Sequence, residues 1–191
     1  MTPALAPLII LSGPSGCGKS TVVARLLATG EFSLRLSVSV TTRPPRPGER
    51  DGVAYHFWTR ERFEQERQAG AFVEWAEVHG NYYGSLRREI DPYRAQGTGV
   101  ILVIDVQGAA QVRRQYPNQV SIFLRTSNWE TYEQRLRRRG TESEEALQRR
   151  LVGAKRELAR AGEYDYQVIN DDLDTAVAEV RAIVRRQFER G

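Results

Sequence analysis

The segment Leu8-Ile-Ile-Leu-Ser12 runs without a break into Gly13-Pro-Ser-Gly-Cys-Gly-Lys-Ser20, and this junction leaves the chain few folds to choose from. It fits G-x-x-x-x-G-K-[ST] after an aliphatic strand and before the amphipathic run Thr21 to Leu27, so it reads as a phosphate-binding P-loop. Glycines let successive backbone N–H groups turn inward, and the helix N-terminus favours negative charge. In such a loop Gly13, Pro14, Ser15, Gly16, Cys17, Gly18, Lys19, Ser20 and Thr21 would hold a nucleotide. Lys19 would reach the outer phosphates and the Ser20 hydroxyl would ligate Mg²⁺. The plainer alternative is a glycine-rich turn with a surface lysine, but the pattern arises by chance in roughly one chain in a hundred or fewer. Only Lys19 and Lys155 among the 28 cationic residues are lysines, which makes the ammonium at this position conspicuous. A compact point charge and a planar guanidinium are not interchangeable where geometry is tight.

Apolar runs alternate with helical periodicity along most of the chain, which predicts an α/β fold with a parallel sheet flanked by helices. Strands are expected at Leu8 to Ser12, Leu34 to Val40, Gly99 to Ile104, Val120 to Leu124 and Gln167 to Ile169. Helices are expected to start near Lys19, Gly108, Asn128, Ser143 and Asp172. Between Val40 and Gly97 the rhythm changes to a Pro-rich turn and short aromatic segments, interrupted by a helix from Arg60 to Gln68. This reads as a small inserted β-rich lobe, residues 41–96, in a single domain whose core is 1–40, 97–134 and 147–191. The arginine-rich stretch 135–146 reads as a lid.

The 191 residues suit one globular domain. A lone cysteine, Cys17, and no signal-peptide pattern point to a reducing, cytoplasmic home. At the start of a helix its thiol is expected to have a lowered pKa. The aliphatic runs are far short of the roughly 20 residues a membrane span needs. A net charge of +4 is compatible with nucleic acid or with a small polyanion. No RNP-like, zinc-finger or helix-turn-helix pattern favours the former. His56 and His79 lack metal-ligand spacing and read as structural or surface residues.

Ser37-Val-Ser39-Val-Thr-Thr-Arg43-Pro-Pro-Arg46-Pro-Gly-Glu49 gathers two arginines and several hydroxyls in one polar turn, followed by Tyr55, Glu74-Trp75 and Gly80-Asn-Tyr-Tyr83-Gly84-Ser85. Taken singly, each has a plain reading. Arg43 and Arg46 suit solvated charges, Glu74 suits the wet face of a strand, and Tyr82 and Tyr83 suit cross-strand aromatics. Taken with the P-loop, the chain from Leu8 to Asp172 strongly resembles the guanylate kinases.

That resemblance implies ATP-dependent phosphorylation of GMP, and of dGMP, to the diphosphate with release of ADP. It assigns Arg43, Arg46, Tyr55 and Tyr83 to the GMP phosphate, with Gly84 in the same site. It gives the guanine to Ser39, Glu74, Ser85 and Asp105, and a contact to adenine to Asn170, whose alternative is a cap on the last helix. Arg135, Arg139 and Arg150 would be the lid arginines that close on the transferring phosphoryl group, with Arg137 and Arg138 solvated. The side-chain chemistry agrees: guanidinium forks match phosphate oxyanions. One carboxylate can accept both N1–H and the 2-amino group of guanine. The chain departs from the family at Val103, where relatives commonly carry an acidic residue two positions before Asp105. The accessory metal-water contact is therefore absent or comes from elsewhere. A guanylate-kinase-like interaction module without catalysis would have no use for Gly18-Lys19-Ser20.

Overall fold

A computed structural model describes residues 5–78, 80–138 and 144–190. Its framework is a five-stranded parallel sheet in the order β2-β7-β1-β8-β9. The strands are β1 (Leu8–Ser12), β2 (Leu34–Leu36), β7 (Gly99–Val103), β8 (Val120–Arg125) and β9 (Tyr166–Ile169). β1 is central, paired with β7 on one side and β8 on the other. Every residue of β1 is buried, as expected for a strand covered on both faces. Ile9, Leu11 and Ile101 pack on one face with α1 (Lys19–Ala28) and α7 (Leu173–Arg190); Leu8, Ile10, Val100 and Leu102 pack on the other with α4 (Val106–Gln115). The two-residue period of the strands divides one apolar run between two cores.

The expected strand Leu34–Val40 divides in two. Leu34–Leu36 joins the large sheet, whereas Val40–Thr41 is β3 of a second sheet, ordered β4-β3-β6-β5 with β4 (His56–Phe57), β5 (Phe72–Val78) and β6 (Asn81–Leu86). Helix α2 spans Arg60–Gln68 as expected, with Thr59 accepting a hydrogen bond from the Arg62 amide as its N-cap. It buries Phe63 against Phe72 and Tyr82, with ring centroids 4.4 and 5.1 Å apart. A short helix α3 (Asp91–Ala95) returns the chain to β7.

Two glutamines of α4 fasten the second sheet to the first. Gln111 donates to the Trp75 carbonyl at 2.8 Å and accepts from the Trp75 amide at 3.2 Å; Gln115 donates to the Val73 carbonyl at 2.6 Å. They pair the outer edge of β5 where no further strand does, and so fix Glu74, between those two residues, against α4. α4 itself begins at Val106, earlier than the expected Gly108, because Asp105 is its N-cap. Helices α5 (Trp129–Arg138) and α6 (Glu144–Leu158) lie between β8 and β9. They share a small core of Tyr132, Leu136, Leu147, Leu151 and Ala154. No helix among the described residues is long and apolar enough to cross a membrane.

Candidate active site

Sequence-distant pieces converge on a cavity of about 330 Å³ between the two sheets. Gly13, Ser15, Gly16, Gly18, Lys19, Ser20 and Thr21 form one wall; Ser39, Tyr55, Glu74, Tyr83 and Gly84 face them, and Val103, Asp105 and Glu157 close the side. Gly13, Gly16 and Gly18 all have φ between 97° and 145°, a backbone region that favours glycine. Lys19 lies over the loop, its Nζ donating to the carbonyls of Gly13 at 2.5 Å and Pro14 at 3.2 Å. Pro14 and Cys17 are buried beneath the loop. Burial pushes the Cys17 thiol up, against the opposing influence of Lys19, which overturns the expected low thiol pKa.

The facing wall is built by strand alternation. On β6, Tyr82 points into the aromatic core and receives a hydrogen bond from Arg60, while Tyr83 points into the cavity. Glu74 and Ser85 are cross-strand partners across a register shift in β5, and the buried Ser85 hydroxyl donates to Glu74 Oε1 at 2.6 Å. Glu74 is 5% exposed, so it is not a wet-face carboxylate. Burial raises its pKa to about 7; the Ser85 hydrogen bond opposes the rise and the nearby Asp105 charge adds to it. Asp105 Oδ1 accepts from the amides of Gln107 and Gly108, so one of its oxygens is held by the helix it caps.

Arg43 is buried at the edge of this wall, with its guanidinium 5.1 Å from the Tyr55 ring centroid. Glu49 grips it at 2.6 and 2.7 Å through both carboxylate oxygens, and the Pro44 carbonyl accepts at 2.9 Å. A guanidinium has five N–H donors, so this arrangement fixes the fork and leaves two of them for a ligand. The Arg43 side chain holds the Glu49 carboxyl down at about 2. Arg46 is exposed beyond it, and its backbone amide also donates to Glu49.

The profile of the guanylate kinase family matches residues 6–187. The chain belongs to the guanylate kinase family. It is 50% identical over 183 residues to a guanylate kinase of Symbiobacterium thermophilum, covering 96% of this chain and 86% of that one. A guanylate kinase of Parasynechococcus marenigrum is 46% identical over 180 residues, with 94% and 98% covered. Among solved structures, a guanylate kinase from Anaplasma phagocytophilum superposes with a TM-score of 0.79 at 33% identity, covering 97% of this chain and 88% of that one.

Two of the three arginines that the guanylate kinase resemblance assigns to the lid lie at the rim of the P-loop. Arg150 donates to the Ser15 hydroxyl at 2.6 Å, and Arg135 donates to the carbonyls of Asn170 at 2.7 Å and Asp171 at 3.2 Å. Arg139 and His79 lie outside the described residues. Arg137 is exposed and pairs with Glu133 and Glu144. Asn170 is 4% exposed and donates through Nδ2 to the Cys17 carbonyl at 2.7 Å. It does not cap the last helix, since Asp172 does so by accepting from the Thr175 amide.

Three functional neighbours escape the sequence reading. Glu49 carries a weak signal, a carboxylate three residues after Arg46. Gly108 carries none: a Cβ there would fall on Glu74 Oε2, so the glycine lets the carboxylate lie against α4. Gly18 stands in the same relation to Asn170 Nδ2, which gives that motif glycine a second reason beyond its φ. Glu157, on α6, reaches the cavity only through tertiary packing. Its carboxyl is raised to about 7 by burial, with Lys19 opposing and Asp105 adding.

Proposed function

We propose that the chain transfers the γ-phosphoryl group of ATP to the phosphate of GMP or dGMP, giving the diphosphate and ADP. The observation that carries this reading is a cavity with a P-loop on one wall and Glu74, held by the buried Ser85 hydroxyl, on the other. Guanine offers N1–H and a 2-amino group as adjacent donors, and Glu74 is the acceptor for both. Ser85 acts through Glu74 by fixing its orientation, while Ser39 and Asp105 complete the base pocket. Arg43, Arg46, Tyr55 and Tyr83 take the acceptor phosphate, and Gly84 lines the cavity beside Tyr83. A side chain at Gly84 would collide with the Phe72 ring.

Residues 41–96 thus act as the GMP lobe and 135–146 as the lid, on a core of 1–40, 97–134 and 147–191. On the donor side the P-loop amides, Lys19 and Thr21 hold the triphosphate, and Asn170 supports the adenine end of the site through its hold on the loop. Arg135, Arg139 and Arg150 offset charge on the phosphoryl group in flight. No strong general base is needed, because the acceptor phosphate has a second pKa near 6 and is mostly dianionic at pH 7.

The residues fit a Mg²⁺ site: Ser20 presents an exposed hydroxyl in the cavity, and among the described residues no cluster of three acidic or His/Cys ligands competes for the ion. Mg²⁺ takes few protein ligands and completes its shell with phosphate oxygens and water. Bound there, it would neutralise the β- and γ-phosphates. Lys19 supplies the remaining point charge, and the walls exclude the water that would otherwise accept the phosphoryl group. The buried, unpaired cysteine suits a cytoplasmic enzyme, and the surplus positive charge is assigned to the nucleotide site and a solvated arginine surface rather than to nucleic acid. The test is Lys19→Ala, read by circular dichroism and a coupled ADP assay: an intact fold without phosphoryl transfer is expected, and wild-type turnover would end the reading.

A further inference from the structure

Glu157 stands apart from the other carboxylates near the cavity. Glu49, Glu74 and Asp105 each accept short hydrogen bonds, whereas Glu157 has no hydrogen-bond or ion-pair partner among the described residues. Cations are not scarce around it. Arg156 precedes it, and Arg160, one turn on, is bonded to Glu163 at 2.7 and 2.8 Å instead. A half-buried carboxylate without a partner is unfavourable for folding, so its place in the cavity calls for another explanation.

Helix α6 supplies the geometry. Leu147, Leu151 and Ala154 face its own small core, while Arg150 and Glu157 lie seven residues apart, about two turns, on the side toward the P-loop. Arg150 reaches Ser15 at the loop's start, and Glu157 reaches the cavity beside Lys19 and Asp105. The opposite side of that region offers Val103, which is apolar, and Asp105, which has one oxygen on the α4 amides.

We propose that Glu157 is a positioning residue that makes the donor cavity select the magnesium complex of ATP over the bare nucleotide, by setting a negative charge beside Lys19. Bare ATP carries about two more negative charges than its magnesium complex, and both must approach Lys19 past this carboxylate. The repulsion falls mainly on the bare form. The metal complex is spared, and Glu157 is free to accept from its water shell. Lys19 is kept from overbinding an unmetallated triphosphate that the reaction cannot use. This rests on the donor-site reading of the P-loop and not on the identity of the acceptor.

Calorimetric titration at pH 8 with ATP plus excess Mg²⁺, and with ATP plus EDTA, measures the ratio of the two affinities. For a two-charge difference felt across about 10 Å of partly wet cavity, Glu157→Gln should lower that ratio about ten-fold. Most of the change should come from tighter binding of bare ATP. Glu157→Asp, which keeps the charge, should keep the wild-type ratio. The nucleotide-free melting temperature of Glu157→Gln should not fall, since no partner is lost. A ratio in Glu157→Gln equal to that of the wild type overturns the inference, and so does a wild type that binds neither form. GMP turnover plays no part in the readout, so failure of the acceptor assignment leaves it intact.

Discussion

Replacing Glu74 with Gln should make the protein more stable and worse at using GMP, two effects of opposite sign from one nearly isosteric change. The carboxyl titrates at about 7 in the folded protein, against 4.5 as its ordinary value. A shift of this size corresponds to about 3 kcal/mol. The folded state therefore binds more protons than the unfolded state between these values, and stability is lost as pH rises from 4.5 through about 7. Glutamine does not ionise and avoids that loss. Allowing about 1 kcal/mol for an imperfectly paired buried amide, Glu74→Gln should gain about 2 kcal/mol at pH 8 and lose about 1 kcal/mol at pH 4. In melting temperature that is roughly 4–8 °C for a chain of this size.

Catalysis should move the other way. The amide turns one acceptor into a donor that faces the donors of guanine, and each unsatisfied buried group costs about 1–3 kcal/mol. kcat/KM for GMP should fall at least roughly 10²-fold, while AMP use falls less or rises and ATP affinity is unchanged. The wild-type profile of kcat/KM for GMP should fall as pH drops below about 7, where Glu74 takes up a proton, and Glu74→Gln should lose that step. Melting curves at pH 4 and 8 beside steady-state kinetics with both acceptors decide the matter. An unchanged GMP to AMP preference, or a variant less stable at pH 8 than the wild type, would refute the reasoning.

Gly108→Ala should gain up to about 1 kcal/mol from helix propensity, yet its Cβ displaces the Glu74 carboxylate. GMP KM should rise about ten-fold for the loss of one hydrogen bond of the pair, with ATP affinity unchanged by calorimetry. Asn170→Ala leaves the Cys17 carbonyl unpaired beneath the P-loop, so the same titration should show ATP binding weakened about ten-fold, with GMP KM unaltered.

The local parts of this design are plain in the chain. β1, the P-loop and α1 follow from an aliphatic run, glycine spacing and an amphipathic run, and α2 from its Thr59 cap and its bounds at Arg60 and Gln68. Harder to see is the division of Leu34–Val40 between two sheets, because Leu34, Leu36, Val38 and Val40 alternate without interruption and periodicity does not say which sheet a strand joins. Gly108 looks like a helix start, whereas the real signal is Asp105 as N-cap. Cys17 looks reactive from its place near a helix N-terminus, but burial outweighs that influence. The burial of Glu74, the Asn170 bond to the P-loop and the reach of Glu157 all depend on elements far apart in sequence. No local spacing encodes them.

The most direct test is ADP release at saturating ATP with GMP, dGMP, AMP or no acceptor in otherwise identical reactions. GMP-dependent release, with AMP close to the no-acceptor rate, is the predicted result. Equal release with AMP and GMP, or release that needs no acceptor, would contradict the assignment of Glu74 and its neighbours to guanine.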